Sequence, residues 1–186
     1  MDFLDSIRIF DERLFEWMFV YLSADWLANI CNFLVRDHNL FPVLLVFFVF
    51  YTKKDRKKAL LFFIMVIVTL AVSELAVSGL KELFERPRPA AYFGIQLNTT
   101  SLSFPSAHAF NTMVQAVLWS YWLGSKRGLF FSMSFSIGVA RMIARYHFPG
   151  DIFGGWVLGL LFGLLVVALI KIVVRKFDTQ GQFSPG

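Results

Sequence analysis

Three short polar clusters interrupt an otherwise apolar chain: Lys81 with Arg86 and Arg88, then Ser106, Ala107 and His108 after a proline, then Arg141, Arg145, His147 and Asp151. A histidine four residues from a carboxylate can donate one ring N–H to it, which fixes the tautomer and leaves the other nitrogen free as base or nucleophile. Ser106 has the character of a helix N-cap. The turn that follows would offer unpaired backbone N–H groups and the positive end of a helix dipole, which together make an anion site. Arginine forks and a lysine point charge are suited to the oxygens of such an anion.

Each cluster has an ordinary alternative: a cation anchoring a helix end, a serine that only caps, a histidine lying in an interface. The distribution of charge decides between them. The chain is 57% hydrophobic with mean hydropathy +0.62, above the roughly 45–50% apolar content of soluble domains. Five stretches carry few or no charges: Leu40–Tyr51, Ala59–Leu80, Ser106–Leu123, Leu129–Ala144 and Ile152–Ile170. They are candidate transmembrane helices, since a bilayer core of about 30 Å takes about 20 helical residues. Of the 18 Lys and Arg residues, ten fall in three groups: Lys53, Lys54, Arg56, Lys57 and Lys58; Lys126 and Arg127; Lys171, Arg175 and Lys176. Threading five spans puts all three groups on one side, which the positive-inside rule makes cytoplasmic. The net charge of +5 is thereby a topology signal, and nucleic acid is not the expected partner. Of the other eight, Arg8, Arg13 and Arg36 lie near the N-terminus, and Lys81, Arg86, Arg88, Arg141 and Arg145 gather on the outer side with His108 and His147, where the rule expects few cations. A bound anion explains them, and phosphate suits them best.

The expected fold is all-α, an integral membrane helical bundle of five to six transmembrane helices. Residues 1–36 form amphipathic interfacial helices, 37–176 the transmembrane domain and 177–186 a disordered polar tail. In the first helix Phe3, Leu4, Ile7, Phe10, Leu14, Trp17, Met18 and Tyr21 recur at helical spacing against Asp2, Asp5, Ser6, Asp11, Glu12 and Glu16. A second short helix after Asp25 would bury Leu27, Ile30, Cys31 and Leu34. A sixth span drawn from residues 9–35 is the alternative, and it would move the N-terminus to the cytoplasm. Pro87 and Pro89 would end the second span near Arg88, and Pro149-Gly150 would let His147 turn back toward Arg141. Glu74, inside a span, is either functional or paired within the bundle. Cys31 is the single cysteine, so neither an intramolecular disulfide nor thiol chemistry is expected. No cleavable signal peptide is evident.

These residues resemble the type 2 phosphatidic acid phosphatase family, whose signature runs K-x6-R-P, P-S-G-H and S-R-x5-H-x3-D. Here the chain has Lys81 to Arg88-Pro89, then Pro105-Ser106-Ala107-His108, then Ala140-Arg141 followed by His147 and Asp151. Ala107 and Ala140 stand where the family has glycine and serine. The resemblance implies that Lys81, Arg88, Ser106, Ala107 and Arg141 bind phosphate, that His147 is the nucleophile held by Asp151, and that His108 protonates the leaving group and then activates water. It implies no metal and no cofactor. A membrane lipid phosphate would be the substrate, entering sideways from the bilayer, with Tyr92, Arg86 and Arg145 as head-group contacts and Ala90–Ser103 as gate. Lipid A 1-phosphate, phosphatidylglycerophosphate and undecaprenyl diphosphate are the candidates, hydrolysed at the periplasmic or exterior face of an inner membrane, with the C-terminus cytoplasmic. Transfer of the phosphoryl group to a second lipid is the alternative outcome. Soluble vanadate haloperoxidases share the signature but not the apolar spans, and a non-enzymatic lipid-binding or scaffold protein predicts that His147→Ala changes nothing measurable. The motifs leave the oligomeric state open.

Overall fold

The computed structural model describes residues 3–21, 25–34, 56–95, 101–124 and 127–177, and their regular structure is entirely helical. The helices are α1 (Phe3–Tyr21), α2 (Asp25–Leu34), α3 (Arg56–Phe84), α4 (Pro89–Phe93), α5 (Ala107–Leu123), α6 (Arg127–Ile143) and α7 (Pro149–Phe177). The expected first span Leu40–Tyr51 and the tail beyond Asp178 lie outside the described residues.

Among the described residues, two helices are long and apolar enough to cross a membrane: Ala59–Phe84 and Pro149–Val173, each with mean hydropathy 2.6. Both turn much of their side-chain surface outward. Leu60, Ile64, Ile67, Val68, Val72 and Leu75 on α3 are exposed, as are Phe153, Leu160, Leu161, Leu164, Leu165 and Leu169 on α7. Apolar surface on this scale marks a partner or a bilayer, because water would penalise every such side chain. α5 and α6 have 17 residues each, about 26 Å of helix at 1.5 Å per residue.

α5 is the axis of the bundle and packs against α3, α6 and α7. Its contact with α7 is close because α7 presents glycines every fourth residue. A Cβ on Gly155 would lie 2.9 Å from the Ser106 carbonyl oxygen, one on Gly159 would lie 2.5 Å from that of Phe110, and one on Gly163 would meet Val117 at 3.0 Å. A stripe of small residues lets two helix backbones approach, the usual solution where lipid supplies no hydrophobic drive between helices. The α3 face of α5 is filled by two clusters, Phe62, Val66 and Leu118 at one level, and Val77, Phe110 and Val114 at the other. Glu74 on α3 accepts a hydrogen bond from Asn111 Nδ2 of α5 at 2.5 Å, the bundle pairing that an ionisable group within a span calls for.

α1 packs on α7, and α2 on α6. Ile7, Phe10, Trp17 and Tyr21 of α1 face outward. The face turned inward carries Asp11 and Phe15, and the Phe15 ring packs tilted against Phe93 and edge-to-face against Phe148. Asp11, grouped by sequence with the solvated residues, is instead buried. In α2 the buried residues are Ala28 and Cys31, while Ile30 is exposed, so the inward face is rotated from the one expected.

Packing through glycine makes a specific demand on α7. Gly159→Ala should lower thermal stability in detergent by about 1–3 kcal/mol, the usual cost of overpacking. Gly128→Ala, with nothing within 4 Å of the added methyl, should not, and equal melting temperatures for the two variants would contradict the α5–α7 contact.

Candidate active site

The C-terminal ends of α3 and α6 and the N-terminal ends of α5 and α7 converge, and the three polar clusters meet there. Each is delivered by a helix end with a local sequence reason. α3 stops at Phe84, earlier than the prolines alone dictate. Glu85 adopts φ 46° and its N–H bonds the Lys81 carbonyl at 2.9 Å, a left-handed cap that is favoured because Arg86, preceding Pro87, avoids the helical region. Lys81 and Arg88 therefore do not share one continuous helix. Lys81 donates to the Leu102 carbonyl at 2.6 Å, and Arg88 is the N-cap residue of α4.

α6 ends the same way. Arg145 has φ 66°, Tyr146 N–H bonds the Arg141 carbonyl at 3.2 Å, and Arg145 N–H bonds that of Met142 at 2.8 Å. This pair of bonds is a Schellman cap. It reverses the chain so that His147, six residues beyond Arg141, returns to the arginine's side. α7 then begins with Pro149 in its first position, where a missing N–H costs nothing. Asp151, in the first turn, accepts the Phe148 N–H at 2.8 Å, the reciprocal half of a capping box.

His147 is 1% exposed and Asp151 is fully buried. Asp151 Oδ2 lies 3.6 Å from His147 Nδ1 and accepts a 2.5 Å hydrogen bond from Ser103 Oγ, while Oδ1 accepts from Arg86 Nη1 at 2.9 Å. On the other side of the ring, Arg88 Nη1 stands 3.3 Å from His147 Nε2. A guanidinium can only donate, so Nε2 must carry the lone pair and Nδ1 the proton. The ring is thus held as the tautomer whose free nitrogen faces the cations. Burial, together with the charges of Arg88 and Arg141, pushes the His147 pKa down to about 3 against the opposing pull of Asp151.

Arg88 is anchored on every side: Nε donates to the Ser101 carbonyl at 2.6 Å, Nη2 to Ser101 Oγ at 2.6 Å and Nη1 to the Tyr146 carbonyl at 2.8 Å. Burial and the nearby charge of Arg141 push its pKa down to about 10, still a cation at neutrality. Arg141 is buried, with its guanidinium 4.0 Å above the Tyr146 ring. Ser106 is the N-cap of α5 and accepts from Ala109 N at 3.5 Å. Its own N–H bonds the Asp151 carbonyl at 3.0 Å, which ties the start of α5 to the start of α7. Ala107 and half-buried His108 form the first turn behind it.

Arg86 and Arg145, expected as head-group contacts, are committed elsewhere. Arg86 bridges Asp151 and Asp11, the latter at 2.8 Å, and Arg145 pairs with Asp25 at 2.7 Å over the Phe19 ring. Tyr92 is half exposed and its ring is 6.0 Å from that of Phe148. Of the expected gate, residues 96–100 lie outside the described residues. In sequence, Ser101 and Ser103 stand only as part of the gate segment and Asp11 only as a solvated residue, because a serine or an N-terminal aspartate carries no spacing signal for this site. Among the described residues, no three His, Cys, Asp or Glu side chains gather as a metal-binding group.

Residues 62–175 match the PAP2 superfamily. The chain belongs to the PAP2 superfamily. It has the all-helical fold of membrane phosphatases in that superfamily. A transmembrane PAP2-type phosphatidylglycerolphosphate phosphatase from Bacillus subtilis is similar at TM-score 0.69 and 23% identity, over 91% of this chain and 89% of that one. LpxE from Aquifex aeolicus is similar at TM-score 0.63 and 26% identity, over 84% of this chain and 93% of that one. No curated protein sequence matches. The matched residues include all three polar clusters, which the structure brings to one end of one bundle.

The depressed pKa of His147 has a signed consequence. Between about pH 6.5 and about 3 the unfolded chain takes up a proton that the folded chain refuses, so acidification through that window removes stability. In histidine-labelled protein the His147 ring, assigned by its disappearance in His147→Asn, should remain neutral at pH 5. A titration midpoint near 6.5 would contradict the burial and charge assigned to it.

Proposed function

We propose that the chain is a lipid phosphate phosphatase that works through a phosphohistidine at His147. The observation that carries this reading is the orientation of one ring: Nδ1 toward Asp151, Nε2 toward Arg88. A neutral imidazole with its lone pair directed at a cation is a nucleophile already aimed at where an oxyanion would bind.

Phosphate would enter against Lys81, Arg88 and Arg141, with Ser106 and the N–H groups of Ala107 and His108 facing its remaining oxygens. The Nε2 lone pair attacks phosphorus in line, and the P–O bond to the lipid breaks as His108 gives its proton to the leaving oxygen. The new P–N bond leaves the ring cationic, which the Nδ1–H to Asp151 interaction stabilises. Neutral His108 then takes a proton from water. The water oxygen attacks phosphorus, the P–N bond breaks and phosphate departs. Cations and helix N–H groups do the electrostatic work that a metal would otherwise do, so turnover should persist in EDTA.

A lipid phosphate is favoured as substrate because the site lies at the end of a bundle whose flanks are apolar and exposed. The acyl chains can remain in the bilayer while only the head group is drawn in. The likeness to the Bacillus subtilis phosphatidylglycerolphosphate phosphatase adds support; lipid A 1-phosphate and undecaprenyl diphosphate share the required chemistry. The site ends of α3, α5, α6 and α7 lie opposite the Arg56, Arg127 and Lys171 ends. The positive-inside rule therefore favours a periplasmic or exterior site and a cytoplasmic C-terminus, with five to six spans in an inner membrane.

Purified protein in detergent with EDTA should release inorganic phosphate from at least one of these lipids. His147→Ala and His108→Ala should each lose on the order of a hundredfold or more in kcat. Undiminished turnover in either variant would overturn the mechanism, and silence of the unaltered protein on every lipid phosphate would overturn the substrate class.

A further inference from the structure

Two carboxylates share one arginine beside the reacting histidine, and only one of them belongs to the PAP2 motifs. Asp151 Oδ1 accepts a hydrogen bond from Arg86 Nη1 at 2.9 Å, and Asp11 Oδ2 forms an ion pair with Arg86 Nη2 at 2.8 Å that is not aligned as a hydrogen bond. Asp11 Oδ1 also accepts the Gly150 N–H at 2.7 Å, immediately before Asp151. Phe148 closes the face of the same guanidinium, with its ring centroid 4.2 Å away. A guanidinium hydrogen-bonded through one nitrogen, ion-paired through another and covered on its face is restricted in orientation. Without Asp11 it would be held by Asp151 and the Phe148 ring.

Asp11 comes from α1, a helix remote in sequence from all three motifs and apolar on its outward face. It is 7% exposed. A buried ion pair adds little to stability compared with apolar packing, and Phe15 already supplies apolar packing on the same face of α1. The space at Gly150 is shaped to this carboxylate, since a Cβ there would lie 2.7 Å from Asp11 Oδ2.

We propose that Asp11 is a positioning residue for the reaction: acting through Arg86 and the Gly150 N–H, it holds the Asp151 carboxylate in line with His147 Nδ1. The interfacial helix α1 is thereby part of the catalytic apparatus rather than only an anchor. The inference rests on the phosphohistidine reading of His147.

The test is steady-state kinetics on the full chain in detergent with a lipid phosphate, read beside thermal unfolding. Asp11→Asn should lower kcat on the order of tenfold, the scale seen when the partner behind a histidine–carboxylate pair is removed, with KM within about twofold because phosphate contacts are untouched. Arg86→Gln should do the same, and the double variant should be no worse than Arg86→Gln alone, since both changes break one chain of contacts. Phe15→Ala should melt at lower temperature yet keep its kcat. Losses that multiply in the double variant, or a Phe15→Ala enzyme as slow as Asp11→Asn, would overturn the proposal in favour of simple docking of α1. Full kcat in Asp11→Asn beside an inactive His147→Ala would overturn it while leaving the phosphohistidine intact. Turnover by His147→Ala would overturn both.

Discussion

A carboxylate with no exposed surface needs several partners, and the architecture around Asp151 is largely the set of elements that supply them. Leaving such a charge buried and unpaired would cost several kcal/mol. Ser103, the Phe148 N–H, Arg86 and His147 satisfy it, and they come from two loops and the turn entering α7. The partners of these partners reach further: Arg86 to α1, and the Asp151 carbonyl to the cap of α5. Removing any one of them transfers the desolvation cost to the rest. The dyad therefore depends on the whole end of the bundle and not on the Asp151–His147 spacing alone.

Two different environments act on the same helices. Along their length α3 and α7 meet an apolar surrounding and expose leucine, isoleucine and valine to it, while at the site end they gather cations and capped termini. Glycine spacing on α7 sets how closely α5 approaches. That approach places the Ser106 cap against Asp151, so the packing link and the chemical link are one contact seen from two sides. A neutral His147 follows from the same geometry, because burial and two neighbouring arginines outweigh a single carboxylate.

How much of this was legible in sequence differs by type of feature. Helices α3, α5, α6 and α7 follow from long apolar runs, and the convergence of Lys81, Arg88, Ser106, Arg141, His147 and Asp151 follows from motif spacing combined with antiparallel threading. Other features rest on interactions that periodicity does not encode. Helix ends at Glu85 and Arg145 depend on positive φ at non-glycine residues, so sequence placed the stop near the prolines. Sequence offers Arg86 and Arg145 as head-group contacts because their partners, Asp11 and Asp25, lie 75 and 120 positions away. Asp11 alternates with other acidic residues on α1, and nothing local distinguishes the buried one from those that face water.

The central claim is that the phosphoryl group resides covalently on His147 before water takes it. The most direct measurement is to quench the reaction with phosphorus-labelled lipid in the His108→Ala background, where the first step loses its acid and the second its base and both slow, and to locate the label by peptide mass spectrometry. The account predicts an acid-labile phosphoramidate on the peptide carrying His147, absent when His147 is also replaced. Label on no protein residue at any quench time, while phosphate is still released, would contradict it.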